Sequence, residues 1–239
     1  MAHENILRQK NIKSKCPIAA FYSQYAPYHA RRISSIIIER RTTKAMHELE
    51  KIKLIAGLGN PGEEYAETYH NVGIIALEET IKNLKDGAAP KKFRDIFINH
   101  KSGGKIFLKP LCFMNESGGT LKTALKHFGI KPEDLLVIHD DSDIEIGNFK
   151  LSFGRNSGGH KGVESIIKSL RTKNFWRFRI GIRPKMPPSK AVLPTLTRRT
   201  KAEEFVLKRM SDHDKKIFLP VFKKIAEKIY NLLNNAETH

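Results

Sequence analysis

Short apolar segments alternate with segments of helical periodicity from residue 51 to the end of the chain. Residues 52–58 and 135–139 are predicted to be buried strands, because each is a short apolar run bounded by polar or turn residues. Val72–Leu84 places its large apolar residues near one face of a helix. This alternation predicts an α/β fold with a mostly parallel central sheet and helices on both faces.

The remaining predicted elements continue the alternation. In chain order they are a strand pair Ile96–Asn99 and Lys105–Lys109 around the turn Ser102–Gly104, a helix Thr120–Phe128, a helix Val163–Leu170, a strand Arg177–Ile182 and a C-terminal helix near 212–235. Gly129 is well suited to a left-handed cap that ends the helix before it. Pro220 predicts either a kink in the last helix or a helix that starts there.

The charge of the chain predicts a polyanionic partner. Lys and Arg number 43 against 25 Asp and Glu, a net charge of +18, which favours nucleic acid over an anionic membrane. Residues 165–202 contain eleven Lys and Arg and no acid. We expect the basic side chains there, including Arg177, Arg179 and Arg183, to contact RNA phosphates. The proline-rich part of this region, residues 183–202, is predicted to be a long basic loop.

The first 46 residues are expected to lie outside the folded domain, which we place at 47–239. Residues 1–45 hold nine basic and two acidic residues and show no sustained periodicity. Three interpretations stay open: a disordered arm, an organelle transit peptide, or sequence upstream of a start at Met46.

Two cysteines make no disulfide framework, so a reducing compartment is expected. No apolar run approaches the roughly 20 residues of a membrane helix, so no membrane span is predicted.

The sequence Gly57-Leu-Gly59-Asn60-Pro-Gly62 follows the first predicted strand. It matches the spacing of a dinucleotide-binding loop, but such a loop must open directly into a helix, and here a polar stretch follows. An NAD or FAD site is therefore disfavoured. Asn60 lies in a tight turn at the carboxyl end of a strand, where a side chain is well placed to meet a ligand.

His70 and Asp140 form a candidate catalytic pair. Asp140 ends the strand 135–139, at the edge where open α/β sheets carry functional groups. A carboxylate that is hydrogen-bonded to one imidazole nitrogen fixes the tautomer and lets the other nitrogen take a proton from water. The acidic run 140–145 does not match the spacing of a calcium loop, and no histidine spacing favours zinc.

Two loops supply further candidates. Asn115, in residues 113–119 between a strand and a helix, either caps the helix or offers an amide at the same end of the sheet as Asn60. The glycine-rich segment Asn156–Gly162 precedes a helix and can present backbone amides to a phosphate. Its spacing around Ser157 is wrong for a nucleophile elbow, which disfavours a serine hydrolase.

Taken in order, the motifs GLGNPGEEYAETYHNVG, FMNESG, HDDSD, GGHKG and FRIGI resemble the bacterial-type peptidyl-tRNA hydrolase family over roughly residues 52–235. The resemblance implies a single α/β domain with a mixed, mostly parallel central sheet, usually a cytoplasmic monomer, with no metal or cofactor. It implies hydrolysis of the ester between a peptide and the ribose of tRNA, so that the partner is peptidyl-tRNA.

The resemblance also assigns roles to residues. His70 would be the general base that activates water, and Asp140 would orient it. Asn60 would sense the acylated amino group that distinguishes peptidyl-tRNA from aminoacyl-tRNA. The residues expected to bind the tRNA end and the peptide are Tyr65, Phe113 and Asn115, with Asn115 also near the attacked carbonyl, and Arg179 is expected to bind a tRNA phosphate.

Lys161 departs from the family pattern, which has asparagine after Gly-Gly-His. A lysine cannot accept a hydrogen bond, so Lys161 is expected to hold a phosphate rather than to position a water. The alternative to an enzyme is a non-catalytic RNA-binding relative on the same scaffold, such as an organellar splicing cofactor. The retained His70, Asp140, Asn60 and Asn115 argue against that alternative.

Overall fold

The computed structural model describes residues 48–84, 88–185 and 205–234. The chain divides into two compact units, Met1–Lys51 and Ile52–His239, and the elements below belong to the second. The predictions for residues 1–46, and for all of the basic loop beyond residue 185, lie outside the described residues. Among the described residues, no helix is long and apolar enough to cross a membrane.

One seven-stranded sheet organises the second unit, with the strand order β2-β3-β4-β1-β5-β7-β6. The strands are β1 (Leu54–Gly57), β2 (Lys91–Phe93), β3 (Phe97–Ser102), β4 (Lys105–Pro110), β5 (Leu135–Glu145), β6 (Phe149–Phe153) and β7 (Trp176–Arg183). The central strands β4, β1, β5 and β7 are parallel, whereas β2, β3 and β6 add antiparallel edges. The predicted mixed, mostly parallel sheet is therefore confirmed.

The helices cover both faces of this sheet, as predicted. They are α1 (Val72–Lys82), α2 (Ser117–Phe128), α3 (Lys161–Leu170) and α4 (Asp212–Asn234). The pair α2 and α3 packs on the strand residues Leu54, Ala56 and Val137, whereas α1 and α4 pack together over the alternate residues of the same strands. The two apolar faces of the central strands are buried in this way.

Several predicted elements differ from the structure in their bounds. Strand β5 runs to Glu145, six residues beyond its predicted end at 139, so the prediction that Asp140 ends this strand is wrong. Helix α4 starts at Asp212 and continues through Pro220, so the expectation of a start at the proline is wrong. Pro220 is exposed, and the buried stripe on either side of it, which includes Phe218 and Val221, holds the helix together. The helix before Gly129 ends in the predicted left-handed cap, with φ 65°.

Strands β2 and β6 were not predicted. The three residues of β2, Lys-Lys-Phe, are too few to show an apolar pattern, whereas β6 alternates in the manner of an edge strand. The predicted hairpin is confirmed, since β3 and β4 pair in antiparallel register around Gly103 and Gly104, both at positive φ.

Gly73 brings the start of α1 against the carboxyl ends of β1 and β5. A Cβ atom at this position would collide with the carbonyl oxygen of Ile138 and would lie 2.7 Å from that of Leu58. Only glycine permits this approach, which sets the turn preceding α1 beside the end of β5.

Candidate active site

A cavity of about 440 Å³ opens at the carboxyl ends of the parallel strands. It is lined by Asn60, His70, Phe113, Met114, Asn115, Asp140, Asp141, Ser142, Ser157, Gly158, Gly159, His160, Lys161, Val206 and Leu207. This is the edge at which α/β sheets bind ligands, because loops from several strands converge there. Six of the eight predicted site residues line the cavity, and Tyr65 and Arg179 each contact a lining residue.

His70 and Asp140 are in contact at the base of this cavity. His70 lies in the short 3₁₀ turn Tyr69–Asn71 that leads into α1. Its Nδ1 lies 2.9 Å from Oδ1 of Asp140, and both side chains are buried. With Nδ1–H donating to the carboxylate, Nε2 is the ring nitrogen that can accept a proton. No group in the described part of the chain bonds that atom.

His160 contacts the same carboxylate oxygen. Its Nε2 lies 2.7 Å from Oδ1 of Asp140, and its Nδ1 accepts a hydrogen bond from the backbone N–H of Val163 at 3.3 Å. Because Nδ1 is an acceptor, the proton of the neutral ring is on Nε2 and points to Asp140. His160 is thus both the N-cap of α3 and a second donor to the carboxylate. The sequence analysis did not assign this role, although a histidine just before a predicted helix was the available signal.

The three side chains set one another's protonation. Burial raises the pKa of Asp140, but the neighbouring His70 and His160 lower it by more, so that the pKa lies far below the usual range and the carboxylate is ionised. Burial lowers the pKa of His70, but the charge of Asp140 and the hydrogen bond with it raise the pKa by more. The pKa of His70 therefore lies above its ordinary value of 6.5.

His139 forms a hydrogen bond with the backbone of Asp140. Its Nδ1 lies 2.6 Å from the backbone oxygen of Asp140, and its ring packs edge-on against His160 with centroids 4.7 Å apart. Burial, together with the neighbouring His160, lowers the pKa of His139 well below its ordinary value. The ring is therefore neutral, with Nδ1–H donating to the backbone.

Asn60 lines the same cavity and is held in place by a backbone group. Its Oδ1 accepts a hydrogen bond from the backbone N–H of Met114 at 2.8 Å, so the amide cannot rotate without losing this bond. Its Nδ2 forms no hydrogen bond within the described residues and is left to donate to a ligand. Sequence reasoning selected Asn60 but gave no role to Met114, which is buried.

Apolar side chains form the rim. Phe113 and Leu207 are each 50% exposed although both line the cavity, and Val206 adjoins them. Tyr65 packs edge-on against Phe113 with ring centroids 6.3 Å apart. Asn115 is exposed in the 3₁₀ turn that follows Phe113. Sequence reasoning did not select Val206 or Leu207, because they lie far along the chain from every motif.

Side-chain contacts of Tyr69 connect the segment that carries Val206 and Leu207 to the turn that carries His70. The hydroxyl of Tyr69 donates to Oδ2 of Asp214 at 2.5 Å, and its ring stacks on Phe205 with centroids 4.3 Å apart. Burial and the hydrogen bond to Asp214 raise the pKa of Tyr69 to about 12. The start of α4 therefore helps to fix the position of His70.

Lys161 is the first residue of α3 and lines the cavity with the loop residues Ser157, Gly158 and Gly159. The loop thus opens into a helix N-terminus that faces the cavity, as the glycine-rich spacing predicted. Helix N-termini favour anions, and the lysine adds a full positive charge at the same place.

The three arginines expected to contact phosphates occupy different environments. Arg177 is 1% exposed and donates from Nη1 to the backbone oxygen of Asn156 at 3.2 Å, so the prediction that it contacts RNA is wrong. Burial and the neighbouring Arg179 lower the pKa of Arg177 to about 10. Arg179 donates from Nε to Oδ2 of Asp141 at 2.6 Å. Arg183 ends β7 and is half-buried.

The group His70, Asp140 and His160 is also the one set of potential metal ligands that the described residues contain, with its atoms within 4.8 Å of one another. Two imidazoles and a carboxylate are ligand types for zinc and related metals. Here the same atoms form hydrogen bonds with one another. The absence of a metal requirement stays a prediction.

Comparison with known proteins identifies the family of this chain. The family model described as peptidyl-tRNA hydrolase matches residues 54–239. The peptidyl-tRNA hydrolase of Aquifex aeolicus is 36% identical over 191 residues, which cover 79% of this chain and 93% of the relative. That of Lactobacillus gasseri is 38% identical over 182 residues, covering 75% and 91%. The crystal structure of peptidyl-tRNA hydrolase from Acinetobacter baumannii matches with a TM-score of 0.66 and 29% identity, covering 78% of this chain and 90% of that one. The chain belongs to the peptidyl-tRNA hydrolase family.

Proposed function

We propose that this chain hydrolyses the ester bond between a peptide and tRNA, with His70 as the general base. The observation that carries the proposal is the bond between His70 Nδ1 and Asp140 in the cavity, which leaves Nε2 able to take a proton from water. Family membership over residues 54–239 supports the same reaction.

In the reaction, Nε2 of His70 accepts a proton from a water molecule as the water oxygen attacks the ester carbonyl. The carbonyl carbon–oxygen bond to the ribose then breaks, and the ribose oxygen takes the proton from the imidazolium. The products are tRNA with a free hydroxyl and a peptide with a free carboxylic acid, which then releases its proton to the solvent. General base catalysis of this kind supplies roughly 10²–10⁴ in rate.

Asp140 stabilises the imidazolium and fixes the tautomer of His70, because its charge is buried and close. His160 shares that carboxylate oxygen, so its N–H holds the carboxylate in place. We assign His160 a positioning role, since its other nitrogen accepts from the N-terminus of α3.

Asn60 and Asn115 are proposed to contact the substrate near the scissile bond. The unbonded Nδ2 of Asn60 is proposed to donate to the acyl group on the amino nitrogen of the terminal aminoacyl residue. Asn115 is exposed beside Phe113 and is proposed to donate to the carbonyl oxygen as negative charge develops there. Tyr65 and Phe113 would support the peptide and the tRNA end.

The tRNA is proposed to lie along the half of the molecule formed by β6, α3 and β7. Residues 146–185 contain ten Lys and Arg and a single acid, Glu164. Exposed members include Lys150, Arg155 and Lys173, and Lys161 and Arg179 join them beside the cavity. Since phosphate contacts dominate affinity for RNA, this surface suits the large leaving group.

The alternative, a non-catalytic RNA-binding relative, is tested by the same assay as the proposal. Purified protein is mixed with peptidyl-tRNA and with aminoacyl-tRNA, and release of the peptide or amino acid is followed. Hydrolysis of the first substrate and not the second is expected. Binding of both without release would favour the alternative.

We further propose that residues 47–239 act as a monomer in the cytoplasm, or in a mitochondrion or plastid if residues 1–45 are a transit peptide. The scarcity of cysteine supports a reducing compartment.

A further inference from the structure

Asn71 joins the turn that carries His70 to the loop that carries Asn60. Its Oδ1 accepts a hydrogen bond from the backbone N–H of Asn60 at 2.8 Å, and its Nδ2 donates to the backbone oxygen of Asn60 at 3.0 Å. The side chain is 3% exposed. One buried amide therefore satisfies both backbone groups of a residue eleven positions away.

The approach of the two loops depends on the residue before Asn60. A Cβ atom at Gly59 would lie 2.9 Å from Oδ1 of Asn71, which is closer than real Cβ contacts allow. The amide of Asn60 is held at its other end by the N–H of Met114. The backbone of Asn60 is thus fixed by Asn71, and its side chain is fixed by Met114.

We infer that Asn71 is a positioning residue for hydrolysis, which fixes the Asn60 amide relative to the base His70. The inference rests on the proposed function, in which Asn60 contacts the acyl group of the substrate. Asn71 is not among the residues that line the cavity, so it acts through Asn60. Because His70 and Asn71 are consecutive in one 3₁₀ turn, any shift of Asn60 from Asn71 is also a shift from the base.

A displacement of about 1 Å between a catalytic group and a substrate contact can lower the rate roughly 100-fold. We therefore expect Asn71→Ala and Asn60→Ala each to lower kcat/KM on peptidyl-tRNA about 100-fold. The Kd for tRNA should not change, because neither residue contacts the tRNA body in this proposal.

The test is a double-mutant cycle on full-length protein, with kcat/KM measured on peptidyl-tRNA and on aminoacyl-tRNA. If Asn71 acts through Asn60, the double variant should be no more than a few-fold slower than the slower single variant. The preference for peptidyl-tRNA should fall in both single variants. The inference would be overturned if the fold-losses in kcat/KM of the two single variants multiplied in the double variant. It would also be overturned if Asn60→Ala were as fast as the wild type. The proposed function itself fails only if the wild type releases no peptide.

Two further variants separate positioning from folding. Asn99→Ala is the matched control, since Asn99 is buried and donates from Nδ2 to the backbone oxygen of Lys91 at 2.9 Å, away from the cavity. It should lose thermal stability without losing kcat/KM, and an equal loss of rate would contradict the inference. Asn71→Asp has the same size and keeps the acceptor for the N–H of Asn60, but it sets its second oxygen against the backbone oxygen of Asn60. Its Tm is measured beside its kcat/KM, which should be lower than that of the wild type. A wild-type rate would contradict the inference.

Discussion

Nε2 of His160 lies 2.7 Å from Oδ1 of Asp140, the same oxygen that His70 contacts at 2.9 Å. One carboxylate oxygen of Asp140 therefore accepts hydrogen bonds from both rings. The Nε2 of His70 is left unbonded within the described residues, whereas the Nδ1 of His160 caps α3. The position of the Asp140 carboxylate relative to His70 therefore depends on its hydrogen bond with His160.

His160→Ala should move the acid limb of the kcat/KM profile to higher pH. Without the second donor, the charge of Asp140 acts on His70 alone, which raises the pKa of His70 further. The same variant loses the cap of α3, a cost of about 1 kcal/mol, or roughly 2–4 °C in Tm. His160→Asn restores a good cap and should recover the Tm while keeping the altered pH profile. Unchanged pH profiles of kcat/KM in both variants would mean that His160 only caps α3 and does not affect His70.

His70→Ala should abolish general base catalysis and leave RNA binding nearly intact. The expected fall in kcat is roughly 10²–10⁴-fold, because the base acts on water and not on the tRNA body. Peptide release and the Kd for tRNA are measured on the same preparation. A variant with full activity would refute the assignment of His70.

Asp140→Asn should lower kcat and move the acid limb to lower pH. The raised pKa of His70 means that the wild-type rate increases with pH through a value above 6.5, since only the neutral ring accepts a proton. When the charge of Asp140 is removed, burial dominates and the pKa of His70 falls. The wrong tautomer then costs roughly 10²–10⁴ in rate. The control is Asp143→Asn, which removes an exposed carboxylate from the same strand and should keep the wild-type profile.

The affinity for tRNA should depend steeply on salt through the half of the molecule formed by β6, α3 and β7. Replacing the exposed Lys150, Arg155 and Lys173 by Gln should flatten the slope of log K against log salt by roughly 0.7–0.9 for each phosphate that is no longer neutralised. The control removes the same charge at the opposite edge of the sheet, by replacing Lys91, Lys92 and Arg94 with Gln. Equal slopes for the two triple variants would mean that affinity follows net charge and not this surface.

Lys161→Asn should raise KM while leaving or improving kcat. A lysine that pairs with a phosphate near the ester binds ground state and transition state alike, which lowers KM without raising kcat. Its charge also disfavours protonation of His70, so removal should shift the acid limb to higher pH. Lys122→Asn makes the same change at an exposed position of α2, outside the half formed by β6, α3 and β7, and serves as the control. Matching kinetics from pH 5 to 9 in wild type and Lys161→Asn would show that Lys161 takes no part.

The fold class and most of the cavity could be predicted from the sequence. Apolar runs of strand length and a helical repeat are local patterns. They predicted the strands and helices of the core to within a few residues, except for β5, which runs six residues beyond its predicted end. Residues near the point where parallel pairing ends, such as Asn60 after β1 and Asp140 just beyond the last β5 residue that pairs with β1, gather at one edge of the sheet. Their convergence on a cavity therefore follows from the alternation alone.

The contacts within that cavity were decided by the tertiary structure. Charge counting placed Arg177 on the RNA surface, but the pairing of β7 turns its side chain beneath the loop at Asn156. Neither the second donor to Asp140 nor the bond of Asn71 to Asn60 has a local pattern in the sequence. Each joins residues from distant segments of the chain, and their meeting depends on strand register and on the close approach that Gly73 allows. Local sequence patterns determine the helices and strands, whereas the packing of those elements determines which side chains form hydrogen bonds with one another.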